Sequence, residues 1–521
     1  MPPSNRLLLI SSIVINIVLF LSLYPIGHGQ SLLFAPHSET SGGGGGSANG
    51  ELSARGRGGQ GCTMCGVAPE LCDEVGEDRL NRAISHAGSN DRLRRLLAKI
   101  KAGDPFTVGV IGGSVSQGNG ILWGEDEPRE PWYRPAIMHR IIFEHLHALS
   151  PLSAHDKIPF DPASESPVGS ATGRKVVFGV SGKKDGKNAL VNGAQGGTGS
   201  NYFAYCWGEH MDQDVDLFIV ELAINDEPLL HNIESYELMV RSLLDLPHKP
   251  AVINVEIFAL LFETIAFGGE MHKGLNEFYD IPSISLRNPF LPDLMANFAS
   301  VEKFFNRNEG KKGELEGMDV RHLSQYGHRM TADLVNAYID MQLCEMERRA
   351  LHAGPEWSGK RLEDKYPVAE VPKMRLNQKY DPATVVPPLR PSCFSMKSSK
   401  HKLEPLKQQG WSKWSHGEKH YWISTEPGAT ISFAFSSALG EVQLHYLRSA
   451  IFGLGNLWCW VDDAKDDGVR MEGYWPQNFN IAQSLPLSGF RPGDHVLNCE
   501  NEVHTADPGG KHEFRIISLT R

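Results

Sequence analysis

No Gly-Lys-Ser or Gly-Lys-Thr occurs anywhere in the chain, and no Asn-x-Ser/Thr acceptor with a permitted middle residue is present. The first absence argues against a nucleotide-phosphate loop and the second against N-glycosylation. Basic charge is the scarcer sign, with 51 Lys and Arg against 62 Asp and Glu and a net charge of −11. No concentrated basic stripe is available to neutralise phosphates, so nucleic acid is not expected as a partner. The short basic cluster Arg92–Lys101 is interleaved with Leu93, Leu96, Leu97 and Ile100 and reads as the solvated face of an amphipathic helix. Cysteine is limited to eight residues, with one Cys-x-x-Cys, Cys62 to Cys65, followed by Cys72. Without a second such pair or an accompanying His pair, the reading is disulfides rather than a zinc knuckle, and no metal is expected.

Long apolar runs are nearly missing too. The exception is Leu7 to Tyr24, interrupted by Ser11, Ser12, Asn16 and Ser22 and preceded by Arg6. Its length fits a signal anchor, or a signal peptide with small residues at Gly27-His28-Gly29. Either reading places the chain in the secretory pathway, as a single-pass type II membrane protein of the Golgi or cell surface or as a secreted one. If the segment stays uncleaved, it makes the membrane a partner.

The rest is ordinary globular composition, 41% hydrophobic and 22% charged over 521 residues, with room for two domains or more. Residues 1–29 hold the anchor or signal, and the glycine-rich stretch 30–61 reads as a flexible stalk. A Cys-bearing, helical lead-in covers 62–103. From 104 to 350 strand candidates (Phe106–Ile111, Lys175–Val180, Leu217–Leu222, Ala251–Phe258, Ile281–Ser285) alternate with helix candidates (Pro135–Leu149, Glu234–Leu244, Gly269–Tyr279, Gln325–Arg348). Such alternation implies a parallel sheet covered on both faces. The Pro- and Ser-rich insert Pro151–Thr172 reads as a long loop at the edge where such sheets build their sites. Residues 351–392 are a proline-rich linker packed along the surface.

Four short motifs carry chemistry. Gly112-Gly113-Ser114-Val115-Ser116-Gln117-Gly118 follows a strand and presents a serine hydroxyl on a tight, uncrowded turn. Asn192-Gly193-Ala194-Gln195-Gly196-Gly197-Thr198 and Ala223-Ile224-Asn225-Asp226 each follow an apolar segment, so they belong at the carboxyl ends of strands. Asp319-Val320-Arg321-His322 sets a carboxylate three residues before an imidazole, just ahead of a helical stretch. Nucleophile, base and orienting acid are the parts of a serine hydrolase, and glycine N–H and asparagine amide suit a developing oxyanion. Singly, each motif has a plainer account. The glycines could begin a phosphate loop, Asn225-Asp226 could be a turn, and His322 could flank its helix.

In this order the motifs resemble the SGNH (GDSL-like) hydrolase superfamily over roughly residues 104–345. The resemblance implies a three-layer α/β/α flavodoxin-like hydrolase domain with Ser114 as nucleophile and Asp319 and His322 completing the catalytic set. It places the N–H groups of Ser114 and Gly197 and the side chain of Asn225 in the oxyanion hole, with no cofactor. The spacing from His322 to Gly327 also matches the family's last block. Two positions depart from the pattern: Gly113 stands where the family has Asp, and Ala223 where it has Gly.

Beyond Cys393 short β-prone segments (Ala429–Ser436, Gly440–Leu447, Leu457–Val461, Glu513–Leu519) are separated by Gly, Pro and Asp turns, as in an antiparallel β-sandwich over 393–521. Cys459 and Cys499, both in strand-like segments of this domain, are expected to pair. Trp411, Trp414, Trp422, Trp458, Trp460 and Trp475 all fall here. A sandwich with several tryptophans resembles a carbohydrate-binding module; the alternative is that most of the rings form the core. Trp458 and Trp460 are expected in the core, whereas Trp411, Trp414 and Trp475 are less constrained to it. Tyr446-Leu447-Arg448-Ser449, Cys459-Trp460-Val461-Asp462-Asp463 and Asp507-Pro508-Gly509-Gly510-Lys511-His512-Glu513-Phe514 make the whole chain similar to fungal anchored SGNH-hydrolase-type proteins with a carboxyl-terminal β domain. The expectation is an extracytoplasmic serine esterase removing acyl, foremost acetyl, groups from a polysaccharide or other small ester. An O-acyltransferase using the same residues, and a non-catalytic glycan-binding protein on a decayed scaffold, remain open, as does the oligomeric state.

Overall fold

The computed structural model describes residues 61–121, 136–151, 166–167, 174–178, 188–308, 313–386, 389 and 391–521, the last range apart from 397, 399, 417–418 and 478–479. The apolar run Leu7–Tyr24, the glycine-rich stretch before residue 61 and most of the insert Pro151–Thr172 lie outside the described residues. No helix among the described residues is long and apolar enough to cross a membrane.

An eight-stranded sheet organises the first half of the molecule. Its strands are β1 (Ile84–His86), β2 (Thr107–Gly112), β3 (Ser166–Pro167), β4 (Arg174–Phe178), β5 (Asn188–Asn192), β6 (Leu217–Glu221), β7 (Ala251–Glu256) and β8 (Ser283–Ser285), in the order β1-β8-β7-β6-β2-β5-β4-β3. All residues of β2, β5, β6 and β7 are buried, which explains why they read as near-continuous apolar runs. Side-chain parity splits those runs between two layers. Val108, Val110, Leu217, Ile219, Ile253 and Val255 pack with α1 (Asp91–Ala102), α2 (Met138–Ala148) and the long α6 (Gln325–His352). Ile111, Val191, Phe218, Val220 and Val252 pack with α3 (Ser200–His210), α4 (Leu230–Leu244) and α5 (Gly269–Phe278). The result is a three-layer α/β/α domain.

The sheet is not parallel throughout. Its five central strands run parallel in the order β5-β2-β6-β7-β8, whereas β1 pairs antiparallel with β8 and β4 antiparallel with β5. The nine residues between β4 and β5 are too few for a crossover helix, so those strands must run antiparallel. Among the parallel strands, the order reverses at β2, which opens a crevice beyond its carboxyl end.

The lead-in shares the core of this α/β/α domain through Met64, Leu71, Val75 and Leu80. Disulfides Cys65–Cys72 and Cys62–Cys344 tie it to itself and to α6. On α1 one of the basic residues is not solvated: Arg94 is buried, donating to Ser89 O at 2.7 Å and to Gln342 Oε1 at 2.7 Å. A partner 248 residues away in sequence is beyond what helical periodicity can reveal.

The carboxyl-terminal domain packs two antiparallel sheets face to face. One has the order β13 (Ser412–His416), β14 (Lys419–Ser424), β21 (Phe514–Thr520), β16 (Glu441–Arg448), β19 (Ile481–Ser488), with β11 (Cys393–Ser395) also on β21. The other has the order β12 (Lys407–Gln409), β15 (Thr430–Ser437), β20 (Gly493–Asn501), β17 (Asn456–Val461), β18 (Val469–Glu472). Ile431, Phe433, Leu457, Leu497, Leu444, Tyr446, Phe514 and Ile516 fill the space between them. Cys459 and Cys499 face each other in register across β17 and β20 and form a disulfide, as expected.

The tryptophans distribute differently from expectation. Leu457 and Cys459 point inward, so strand alternation sends Trp458 and Trp460 to the outer face, where both are half-buried. Trp458 Nε1 donates to Lys465 O at 3.0 Å. Trp411 is buried in the core with Trp422. Trp414 stacks on Tyr421 at 5.4 Å, and the Arg448 guanidinium lies 5.2 Å from the Trp475 ring.

Candidate active site

Ser114 comes two residues after the end of β2 and lies in the crevice at the strand-order reversal. Its Oγ is 2.8 Å from His322 Nε2, and His322 Nδ1 is 2.7 Å from Asp319 Oδ2. A carboxylate only accepts, so Nδ1 carries the imidazole proton and Nε2 is left to accept from the Ser114 hydroxyl. Asp319 Oδ1 also accepts from the backbone N–H groups of Arg321 and His322. Burial pushes the Asp319 carboxyl up, but the His322 hydrogen bond and charge and those two N–H groups outweigh it and hold the pKa below its ordinary value.

Asp319 and His322 sit on a strand, β10 (Met318–Leu323), not in a loop leading to the helix. In a regular strand, residues three apart face opposite sides. β10 pairs with β9 (Phe305–Arg307) with a register shift between Asp319 and Leu323. That bulge corrects the parity and lets both side chains converge on Ser114. Ser324 then caps α6 by accepting from Gly327 N–H at 3.2 Å.

The other two motifs border the same serine. Asn192, at the end of β5, donates to Ser116 O and accepts from Ala194 N–H, fixing the Ser114 turn to the following glycine loop. A Cβ on Gly196 would lie 3.8 Å from Ser114 Cβ, so this loop passes beside Ser114. Gly197 has φ +72°, a conformation that favours glycine. Asn225, just beyond β6, packs its amide over Gly113; a Cβ there would fall 2.1 Å from Asn225 Oδ1 and 2.6 Å from Nδ2. The space that an aspartate would need at 113 is therefore taken by the Asn225 side chain. The second departure has a matching compensation. Ala223 faces Gly269, where a Cβ would approach the Ala223 Cβ to 2.8 Å.

Sequence reasoning treated Glu221 only as strand and gave Asp226, though part of the Asn225 motif, no role in the site. Both are fully buried at the ends of the segment that carries Asn225. Ser116 Oγ donates to Glu221 Oε2 at 2.7 Å and is 2.9 Å from His139 Nε2. Burial pushes the Glu221 pKa up to about 8 and the His139 pKa down to about 3. An acidic residue beside the motif asparagine was the only signal for Asp226, and none distinguished Glu221.

Helix α3 connects this site to the β domain. Asn201 Nδ2 donates to Ser484 Oγ at 2.7 Å, Tyr205 OH to Glu441 Oε1 at 3.2 Å, and Tyr202 meets His445 edge to face at 5.8 Å. Glu209 accepts from Ser398 Oγ and His401 Nδ1. Cys206 is bonded to Cys393. These residues form one stripe of the helix, while Phe203 and Trp207 face the core of the α/β/α domain.

No protein-family model and no curated protein sequence matches the chain. Among solved structures it is similar to a two-domain esterase (CEX) active on acetylated mannans, co-crystallised with mannopentaose. That match has 16% identity and a TM-score of 0.57, and covers 85% of this chain and 97% of that one. A second structure of a two-domain esterase active on acetylated mannans matches at 15% identity and a TM-score of 0.56 with the same coverage. At this identity the likeness is one of fold, and it extends over both domains.

Proposed function

We propose that the protein is a serine esterase of the SGNH type that removes acetyl groups from polysaccharide. The observation that carries this reading is the unbroken chain Ser114 Oγ, His322, Asp319, with separations of 2.8 and 2.7 Å. Ser114 Oγ attacks the ester carbonyl while its proton passes to His322 Nε2, and Asp319 stabilises the imidazolium. The Ser114 and Gly197 N–H groups and the Asn225 amide face the developing oxyanion. Collapse of the tetrahedral species breaks the bond to the sugar oxygen, which leaves with the proton from His322. Water then repeats the sequence on the acetyl-enzyme and releases acetate. The substrate class draws support from the two-domain esterases of like fold, described as active on acetylated mannans. Four disulfides fit an oxidising compartment and so support a reaction carried out in the secretory pathway.

The test is acetate release from acetylated mannan and from p-nitrophenyl acetate by wild type and Ser114→Ala. Wild-type turnover on both, with the variant folded and reduced to background, is the expected result. A variant that keeps most of the turnover removes Ser114 from the role. Acetyl appearing on a sugar hydroxyl instead of as free acetate would make the enzyme a transferase.

A further inference from the structure

Two of the oxyanion donors assigned above come from separate crossovers: Gly197 from the loop after β5, and Asn225 from the loop after β6. Their relative position to a few tenths of an ångström decides whether both reach one oxygen. Neither loop is a regular element, so something outside the donors must fix that spacing.

We propose that Asp226 is the positioning residue that locks these two donor loops to each other. This rests on the esterase reading. Asp226 follows Asn225 directly and is fully buried. Its Oδ1 accepts from the backbone N–H of Ser200 at 2.7 Å, three residues after Gly197, and from Asn232 Nδ2 at 3.2 Å. Ser200 is the first residue of α3, and the residue before it, Gly199, offers no side-chain cap. The Asp226 carboxylate therefore supplies the anion at this helix start from another loop. The approach is close enough to demand glycine at 199, where a Cβ would lie 2.1 Å from Asp226 Oδ1 and 3.1 Å from Asn225 O. Asp226 Oδ2 accepts from His272 Nε2 at 2.8 Å, and the His272 ring is stacked on Tyr236 at 3.7 Å. The Asp226 carbonyl accepts from Gly268 N–H at 2.8 Å. Loops after β5, β6 and β7 thus meet on one residue that has no exposed surface.

Such a residue acts on the transition state through Gly197 and Asn225 and leaves ground-state binding alone. With the full-length protein, active sites are counted from the end point of fluorophosphonate labelling, and kcat is expressed per labelled site. Asp226→Ala is expected to lower kcat per site by about 10- to 100-fold with KM changed by less than about threefold, and to slow the rate of labelling in parallel. Asp226→Asn keeps an acceptor for Ser200 N–H and is expected to recover most of that loss. Should Asp226→Ala not fold, His272→Gln, which loosens the same carboxylate, carries the test through the same ratio. Wild-type kcat per site in a folded Asp226→Ala or His272→Gln protein would overturn the assignment. So would a loss confined to KM or to the number of sites. A wild type that neither hydrolyses esters nor labels would instead bring down the esterase reading and this inference with it.

Discussion

Glu221 and Asn225 show how much chemistry sits on single positions of one short segment. Glu221 is fully buried, with Oε2 accepting from Ser116 and Oε1 without a partner among the described residues. Burial raises its pKa to about 8, against the pull of the Ser116 hydrogen bond. Between its ordinary pKa of 4.5 and about 8, the native state keeps a proton that the unfolded chain has released. The native state then binds more protons, so this group's contribution to stability falls as pH rises, by about 1.4 kcal/mol per pH unit at most, and levels off above pH 8. Glu221→Gln keeps an acceptor for Ser116 and does not titrate. Urea unfolding at pH 5, 7 and 8.5 should show the variant gaining on wild type across the series. A gap independent of pH would mean that Glu221 is already ionised in the native protein. Asn225→Ala tests the other end of the segment, where the amide lies over Gly113, next to Ser114. Turnover should fall by on the order of 10²–10³-fold with a smaller change in KM, as for a donor used in the transition state. An effect on KM alone would make Asn225 a substrate-binding group.

At the scale of elements, α3 links chemistry to architecture: it begins at the glycine loop and ends under the β domain. The Cys206–Cys393 disulfide joins its middle to β11 across 187 residues of sequence. Replacing both cysteines by alanine should lower unfolding stability by on the order of 2–4 kcal/mol. Because α3 carries the Gly197 loop, kcat should fall as well. Urea midpoints and p-nitrophenyl acetate kinetics check both effects, and an unchanged midpoint would show that packing alone holds the joint. Elements of this kind were unevenly legible in the sequence. The central strands were readable because each is a buried apolar run, and the site motifs because each follows such a run. The bulge in β10 was not, since it depends on pairing with β9, whose three residues carry no periodic signal. Trp458 and Trp460 were misplaced for a related reason. Their strand was recognised, but its facing was decided by Cys459 pairing inward with Cys499, and the alternate residues had to follow. The exchange of space between Gly113 and Asn225 lay beyond any local pattern, because the two residues are 112 positions apart.

For the molecule as a whole, the two domains are joined by a contact whose strength depends on neutral histidines. His210 lies on α3 and His445 on β16, on either side of Tyr202: His210 Nε2 is 2.8 Å from the Tyr202 hydroxyl, and the His445 ring meets Tyr202 edge to face. His445 Nε2 is also 3.0 Å from Thr520 Oγ1. Burial pushes the pKa of each of these histidines, and that of His139 against Ser116, down to about 3. Below the ordinary histidine value of 6.5 the unfolded chain takes up protons that the native protein excludes. The stability these groups contribute is therefore present above pH 6.5 and lost as pH falls toward 3. Each contributes a slope of about 1.4 kcal/mol per pH unit at most. Two of the three lie at the domain contact, so acid should loosen the joint as well as the core of the α/β/α domain. Urea unfolding at pH 7, 6, 5 and 4, followed by tryptophan fluorescence, should give midpoints that decline steadily below pH 6.5. His445→Gln retains a polar group for Thr520 and removes one titration, so its decline should be shallower than that of wild type even if its stability at pH 7 is lower. Parallel slopes for the two proteins would show that His445 is not the group taking up the proton. The acid sensitivity would then belong to His210, on the other side of Tyr202, or to His139, which sits against Ser116.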